Sequence, residues 1–165
     1  MNVLALDLAT KTGWAHTCGM SGVQDFARRR GDSPGMLFID FRAWLIRFLD
    51  QAQTELIVYE QAGIHRSGAA THVAHGLISA AEVVAAERKI EITNRSPSAI
   101  KNFILPDVPV KRRNKPKMIQ AAENRWPHIE MVTDDQADAI LLLWFAMDDL
   151  KITDTVWHRT IKQAV

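Results

Sequence analysis

Two apolar runs, each closing on a carboxylate, constrain this chain more than any other feature. Asn2-Val-Leu-Ala-Leu leads into Asp7, and Glu55-Leu-Ile-Val-Tyr leads into Glu60. Neither run alternates polar with apolar residues, so each reads as a strand buried on both faces. Between them, Leu37, Phe41, Trp44, Leu45, Phe48 and Leu49 form an i, i+3/i+4, i+7 stripe that marks a core-facing helix. Ser33-Pro34 is read as its N-cap followed by proline at the first helical position. A helix joining two buried strands describes a parallel pair, and ligand sites in such sheets lie at the carboxyl ends of the strands. Both acids fall there. A single strand-end aspartate is more simply a turn former, so the weight rests on the set.

Around this pair the chain reads as alternating short strands and helices. Thr10, Thr12 and Gly13 predict a tight turn into a second strand, Gly13–Thr17, and a turn at Cys18–Gly22 leads to a third antiparallel strand, Val23–Arg28. Arg28–Arg30 reads as a solvated strand end. A loop at Gly63–Gly68 carries His65 and Arg66. Ala69–Lys89 is helical and rich in alanine, glycine and serine, which lets another helix or strand come close. Lys89–Thr93 predicts a strand, and Ser96-Pro97 opens a helix through Leu105. Pro116 starts a helix over Lys117–Arg125. The tail, Thr153–Val165, predicts a short helix with Trp157 packed on the domain.

At 165 residues, 47% hydrophobic and 24% charged, the chain fits one domain, 1–165. A net charge of +1 excludes binding nucleic acid by bulk charge, leaving local clusters of the 20 Lys and Arg to do so. Cys18 stands alone, without disulfide or zinc spacing, which fits a reducing compartment. No apolar run approaches about 18 residues, and no signal pattern opens the chain. A cytoplasmic protein without membrane contact is expected. His72 and His75 are a possible i, i+3 metal pair, but no third ligand stands at suitable spacing, so zinc is not expected.

Two further stretches carry chemistry. Five of the seven residues Lys111–Lys117 are basic, in a proline-broken loop, which predicts contact with a phosphate backbone. Thr133 with Gln136 is a capping box, so a helix starts there and runs through Ala139–Met147. Asp134 and Asp135 then sit in its first turn, where the dipole favours negative charge. Asp138 lies beyond that turn, at the head of an apolar segment, and pairs at helical spacing with either Asp135 or Asp134. Two like charges at about 4 Å repel by roughly 4 kcal/mol at an effective dielectric near 20, so several acids converging on one site imply bound cations. Acids from two strand ends and one helix start are the ligand set of a two-metal phosphodiester hydrolase. Oxygen-only ligands favour Mg²⁺ or Mn²⁺, two per site.

The motifs in order, Asp7-Leu-Ala-Thr-Lys-Thr-Gly13, Tyr59-Glu60-Gln61, the Ser67–Lys89 helix and Asp135-Gln-Ala-Asp138-Ala139, resemble those of the RuvC-type Holliday-junction resolvases. The resemblance covers most of the chain. It implies a ribonuclease H-like fold: a mixed sheet of three antiparallel strands followed by parallel strands, with helices on both faces. It implies a crossover junction endodeoxyribonuclease with metal ligands Asp7, Glu60, Asp135 and Asp138. The family's basic residues map to Lys101 and to Lys115 or Lys117, beside the DNA-contacting run Lys111, Arg112 and Arg113. It also implies a homodimer built on the Ala69–Lys89 helix, acting on branched DNA in recombination and repair. Asp7-Leu8-Ala9 replaces the bacterial Asp-Pro-Gly and is closer to the phage members. No aromatic residue follows Glu60, as Gln61-Ala62-Gly63-Ile64 shows, so base stacking at the junction centre is not expected.

Two other functions share parts of this pattern. A less selective ribonuclease H-like nuclease on flaps, forks or RNA–DNA hybrids would use the same four acids. A nucleotide-binding module of the actin/Hsp70 type also opens with strand, Asp and a Gly/Thr turn. The chain is short for its two lobes and lacks a second glycine-rich phosphate loop.

Overall fold

The computed structural model describes residues 1–62, 68–127, 129–130, 133–153 and 157. Val3–Asp7 (β1) lies at the centre of the sheet, as its unbroken apolar run requires, with Val3, Leu4, Ala5 and Leu6 fully buried. Lys11–His16 (β2) returns antiparallel beside it, placing Gly13 opposite Asp7, and Ser21–Asp25 (β3) adds antiparallel to β2. On the other side Leu56–Glu60 (β4) runs parallel to β1, and Glu91–Arg95 (β5) runs parallel to β4. The order β3-β2-β1-β4-β5 is the expected mixed sheet.

Side-chain alternation sorts the strands into two cores. Leu4, Leu6, Leu8, Ile57 and Tyr59 face Met36–Gln51 (α1) and Gly68–Arg88 (α2). Val3, Ala5, Ala15, Leu56 and Val58 face Pro97–Ile104 (α3), Lys115–Arg125 (α4) and Asp134–Asp149 (α5). Leu8, where the bacterial motif has proline, is itself buried in the first core.

Several element boundaries differ from the sequence reading. The α1 helix begins at Met36 with Gly35 at the cap position and no side-chain cap; Ser33-Pro34 form the preceding turn. Its buried Leu37, Phe41 and Leu45 are worth roughly 1.5–3 kcal/mol each, more than the ~1 kcal/mol of a missing cap. Strand β3 stops at Asp25 because its carboxylate accepts the Ala27 N–H in a local turn. Strand β5 starts at Glu91 because Lys89, at φ 56°, closes α2, and Ile90 N–H returns to the Ala85 carbonyl. The α4 helix starts at Lys115, capped by the Asn114 side chain, and Val110–Arg112 forms one 3-10 turn within the basic loop. Ser96 caps α3 as expected, accepting from Ala99 N–H.

By length and composition α2 could cross a membrane, since its many alanines count as mildly apolar. One face of it packs on the protein's own core, burying Ala74, Leu77, Ala81, Val84 and Ala85, while Glu82 and Glu87 are exposed. Trp157 is buried, its indole N–H donating to the His16 carbonyl at 2.7 Å. The rest of the tail helix from 154 onward, and the loop with His65 and Arg66, lie outside the described residues.

His16 ties this end of the fold together. Its Nδ1 accepts the Cys18 N–H at 3.1 Å, and its ring packs edge-on against Phe48. Burial lowers its pKa, partly opposed by a backbone hydrogen bond involving Gln53. A base whose folded pKa lies below its unfolded value binds fewer protons when folded, so stability rises with pH between the two values. This contribution is complete above the ordinary histidine pKa near 6.5 and is lost as pH falls through the lowered value. Between the two, each tenfold rise in proton concentration removes at most about 1.4 kcal/mol. Unfolding curves at stepped pH should show this slope, and His16→Asn, though less stable at neutral pH, should flatten it. An unchanged slope in the variant would assign the pH dependence to other groups.

Candidate active site

Alternation puts Asp7 in phase with Val3 and Ala5, and Glu60 in phase with Leu56 and Val58, all toward α5. Leu6 pairs with Tyr59 in the parallel register, so Asp7 and Glu60 are the next residues on adjoining central strands. Both are half-buried at the carboxyl edge of the sheet.

The start of α5 brings in the other two acids. Thr133 Oγ1 accepts the Gln136 N–H at 3.2 Å, and Gln136 Nε2 donates to Ser21 Oγ at 3.0 Å, fastening the first turn to β3. The helix presses directly on β2. A Cβ at Gly13, the residue opposite Asp7, would stand 1.8 Å from the Asp135 carbonyl oxygen. Glycine is required there for close approach, which a Thr-Lys-Thr-Gly sequence read as a turn did not reveal. Asp135 is half-buried at this contact, whereas Asp134 is exposed and 3.3 Å from Lys115 Nζ.

Asp138, one turn further on, lines a cleft of about 130 Å³ with Glu60, Lys101 and Lys115, over a floor that includes Met118 and Leu141. Lys115 Nζ lies 3.5 Å from Asp138 Oδ2. Burial raises the Asp138 pKa; Lys115 opposes this, and the charges of Asp135 and Asp134 add to it. Desolvation pulls the Lys115 pKa down, but attraction from Asp138 and Asp134 outweighs it and the net shift is upward. Lys115 therefore stays charged, and its ammonium is the cation that makes a half-buried Asp138 tolerable.

Glu60 and Asp138 thus share one cleft, while Asp7 pairs with Gly13, on which the Asp135 backbone presses. Among the described residues, no three acidic, imidazole or thiol groups stand close enough to hold a metal ion as they lie. The basic residues divide. Lys101 and Lys115 line the cleft, and Lys117 is exposed on α4 outside its lining. Lys111 and Arg112 are exposed in the 3-10 turn. Arg113 is turned inward: it donates to the Val108 carbonyl at 2.6 Å, to the Pro106 carbonyl at 3.4 Å and to Asn102 Oδ1. These bonds brace the loop, and Arg113 is half-buried where its expected partners in DNA contact, Lys111 and Arg112, are exposed.

This geometry separates two adjacent aspartates by experiment. Asp134→Ala should cost a few tenths of a kcal/mol of helix-terminus stability and leave the site's activity largely intact. Asp135→Ala should remove that activity in a protein that still folds. Equal losses in the two variants would reverse the choice of Asp135 over Asp134.

No protein-family model matches the chain, nor does any curated protein. Solved structures do. The chain is similar to Thermus thermophilus RuvC in complex with a Holliday junction substrate, at 14% identity and TM-score 0.73, covering 88% of this chain and 92% of that one. A second structure of Thermus thermophilus RuvC matches at 12% identity and TM-score 0.71, covering 94% and 100%. The yeast mitochondrial Holliday junction resolvase Ydc2 matches at 15% identity and TM-score 0.63, covering 99% and 84%. The resemblance carried by the ordered motifs is borne out in the fold. The chain has the ribonuclease H-like fold of the RuvC-type junction resolvases.

Proposed function

We propose that the chain is a divalent-metal-dependent endodeoxyribonuclease that resolves four-way junctions and related branched DNA by paired phosphodiester hydrolysis. The observation that supports this reading is the carboxyl edge of the sheet, where Asp7 and Glu60 end adjoining central strands and Glu60 shares a cleft with Asp138, Lys101 and Lys115, in a chain with the fold of RuvC. The donor set is oxygen only, which suits Mg²⁺ or Mn²⁺. The fit is supported by Asp138, a half-buried carboxylate that gains from any cation placed against it, as Lys115 already demonstrates. Asp7, Glu60, Asp135 and Asp138 would hold two ions. When bound, such ions activate water and stabilise the leaving oxygen of an in-line displacement.

The chain's own residues bind and orient the DNA. Lys101 and Lys115 hold phosphates of the scissile strand next to the acids, and Lys111 and Arg112 meet the backbone further out. A homodimer would place one site on each of two opposing strands of a junction. In α2 the small residues divide between two roles. Ala74, Ala81 and Ala85 are buried in the protein's own core, and Gly76 admits the Phe38 ring. Ser79, Val83 and Ala86 face outward and are the candidates for the twofold contact; Ala80 is partly buried against the core. A single-domain cytoplasmic protein serving DNA recombination and repair goes with this reading.

The test is cleavage of a synthetic four-way junction beside linear duplex, flap, fork and RNA–DNA hybrid, with Mg²⁺ and with chelator, alongside sedimentation of protein and complex. Symmetric paired nicks in the junction by a dimer, lost with chelator, are expected. Equal cutting of flaps and hybrids would favour the less selective nuclease, and no cutting of any substrate would overturn the reading.

A further inference from the structure

We infer that the turn Arg28–Asp32 is a second phosphate clamp, gripping DNA on the flank of the site opposite α3 and α4. The inference rests on the nuclease reading above and adds to it a surface that the basic loop does not supply. Its basis is topological. Strand β3 is antiparallel to β2, which is antiparallel to β1, so the carboxyl end of β3 lies at the same edge of the sheet as Asp7 and Glu60. The chain leaving β3 there carries Arg28, Arg29 and Arg30, all exposed, with exposed Lys11 opposite Asp25 at their base. Lys101 and Lys115 line the cleft with Glu60, which ends β4 on the opposite side of β1 from β2 and β3. Asp7 at the end of β1 therefore lies between the arginine turn after β3 and the lysines at the β4 side of the edge.

The turn is built to hold its shape. Asp32 Oδ2 accepts the Arg29 N–H at 2.7 Å, and the Asp32 N–H donates back to the Arg29 carbonyl at 3.1 Å. Gly31, at φ 98°, supplies the left-handed residue this reversal needs. The base of the turn is anchored by Phe26, buried edge-on against Phe41 and Trp44. Phe26 N–H also donates to the Thr10 carbonyl at 2.8 Å, which ties the basic turn to the loop that leaves Asp7. Among the described residues, none of the three guanidinium groups is engaged in an ion pair. The carboxylates of Asp25 and Asp32 are turned to backbone N–H groups, and with Arg28, Arg29, Arg30 and Lys11 outnumbering them the turn is net positive. Charge held in an ordered turn loses less entropy on meeting a phosphate than charge on a loose tail. Two strand spacings of about 4.8 Å separate β3 from β1, so the turn meets the backbone within a few nucleotides of Asp7.

The test replaces Arg28, Arg29 and Arg30 together by alanine, which keeps the backbone bonds to Asp32. Junction affinity should fall roughly tenfold or more at about 0.1 M salt, and the slope of log K against log salt should become shallower by about 0.9 for each lost contact. Neutral methylphosphonates stepped outward one phosphate at a time from the cut should weaken the wild type at some position within a few nucleotides and leave the triple variant unaffected there. A triple variant with wild-type affinity and slope, when the wild type binds junctions, would overturn the clamp and leave the nuclease reading standing. A wild type that binds no branched DNA would remove both. Should the triple variant melt below the assay temperature, Arg30→Glu alone gives the same readout, and wild-type binding there overturns the clamp equally.

Discussion

Asp7→Asn is expected to lower junction cleavage by about a thousandfold or more while leaving junction affinity unchanged or slightly tighter. The substitution keeps the shape of the side chain at the end of β1, so the pairing with Gly13 and the burial of β1 are undisturbed. It removes a negative charge from the point where two central strands and the start of α5 meet. If that charge holds a cation against the scissile phosphate, its loss removes several kcal/mol of transition-state stabilisation. Affinity, by contrast, comes mainly from lysines and arginines on phosphates, and the substitution at Asp7 leaves all of these in place. Loss of one negative charge near a phosphate can tighten the complex. Single-turnover cleavage at saturating Mg²⁺, beside binding of uncut junction in chelator, separates the two effects. Cleavage at wild-type rate would sink the metal-site reading, whatever the binding shows.

What the sequence made legible is what periodicity and end signals encode. Both central strands, the stripe of α1, the caps at Ser96 and Thr133, and the delivery of Asp7 and Glu60 to one edge could be read from local patterns. The site's finer structure rests on contacts between residues far apart in the chain. Lys115 against Asp138 and Arg113 against Asn102 have no signature in spacing or composition. A basic run looks uniform in one dimension, yet the fold turns Arg113 inward to the loop carbonyls and leaves Lys111 and Arg112 outside. The same holds for Arg28–Arg30. As sequence they are a solvated strand end; the antiparallel hairpin carries them to the edge where the acids lie. Helix starts misled where burial outweighed capping, as at Met36.

Gly13→Ala should be among the most damaging small substitutions in the chain, destabilising by roughly 3 kcal/mol and lowering cleavage by about a hundredfold in whatever protein stays folded. Gly13 lies opposite Asp7 on β2, in phase with Ala15, toward α5. Its missing side chain is the space into which the helix start fits. An added Cβ would meet the Asp135 carbonyl oxygen at 1.8 Å, its carbonyl carbon at 2.4 Å and Gln136 N at 3.2 Å. All three are backbone atoms, so no rotamer change relieves the clash, and the first turn of α5 must move off the sheet. That movement strains the Gln136–Ser21 hydrogen bond and carries Asp135 away from Asp7. Displacement of about 1 Å in a catalytic group can cost a hundredfold in rate, which sets the expected loss. For a domain of this size each kcal/mol lowers Tm by about 2–4 °C, so a fall of roughly 6–12 °C is expected. Gly22→Ala is the control. Its Cβ would crowd the Trp14 ring at 3.0 Å on the face away from α5, where that ring packs on Trp44 and Phe48, so any loss falls on Tm and cleavage by the folded variant should change little. Thermal melts and single-turnover cleavage of the two variants, measured side by side, decide the matter. A Gly13→Ala protein with wild-type Tm and rate would mean that α5 does not press on β2, and with it would fall the part this contact plays in holding Asp135 at the site.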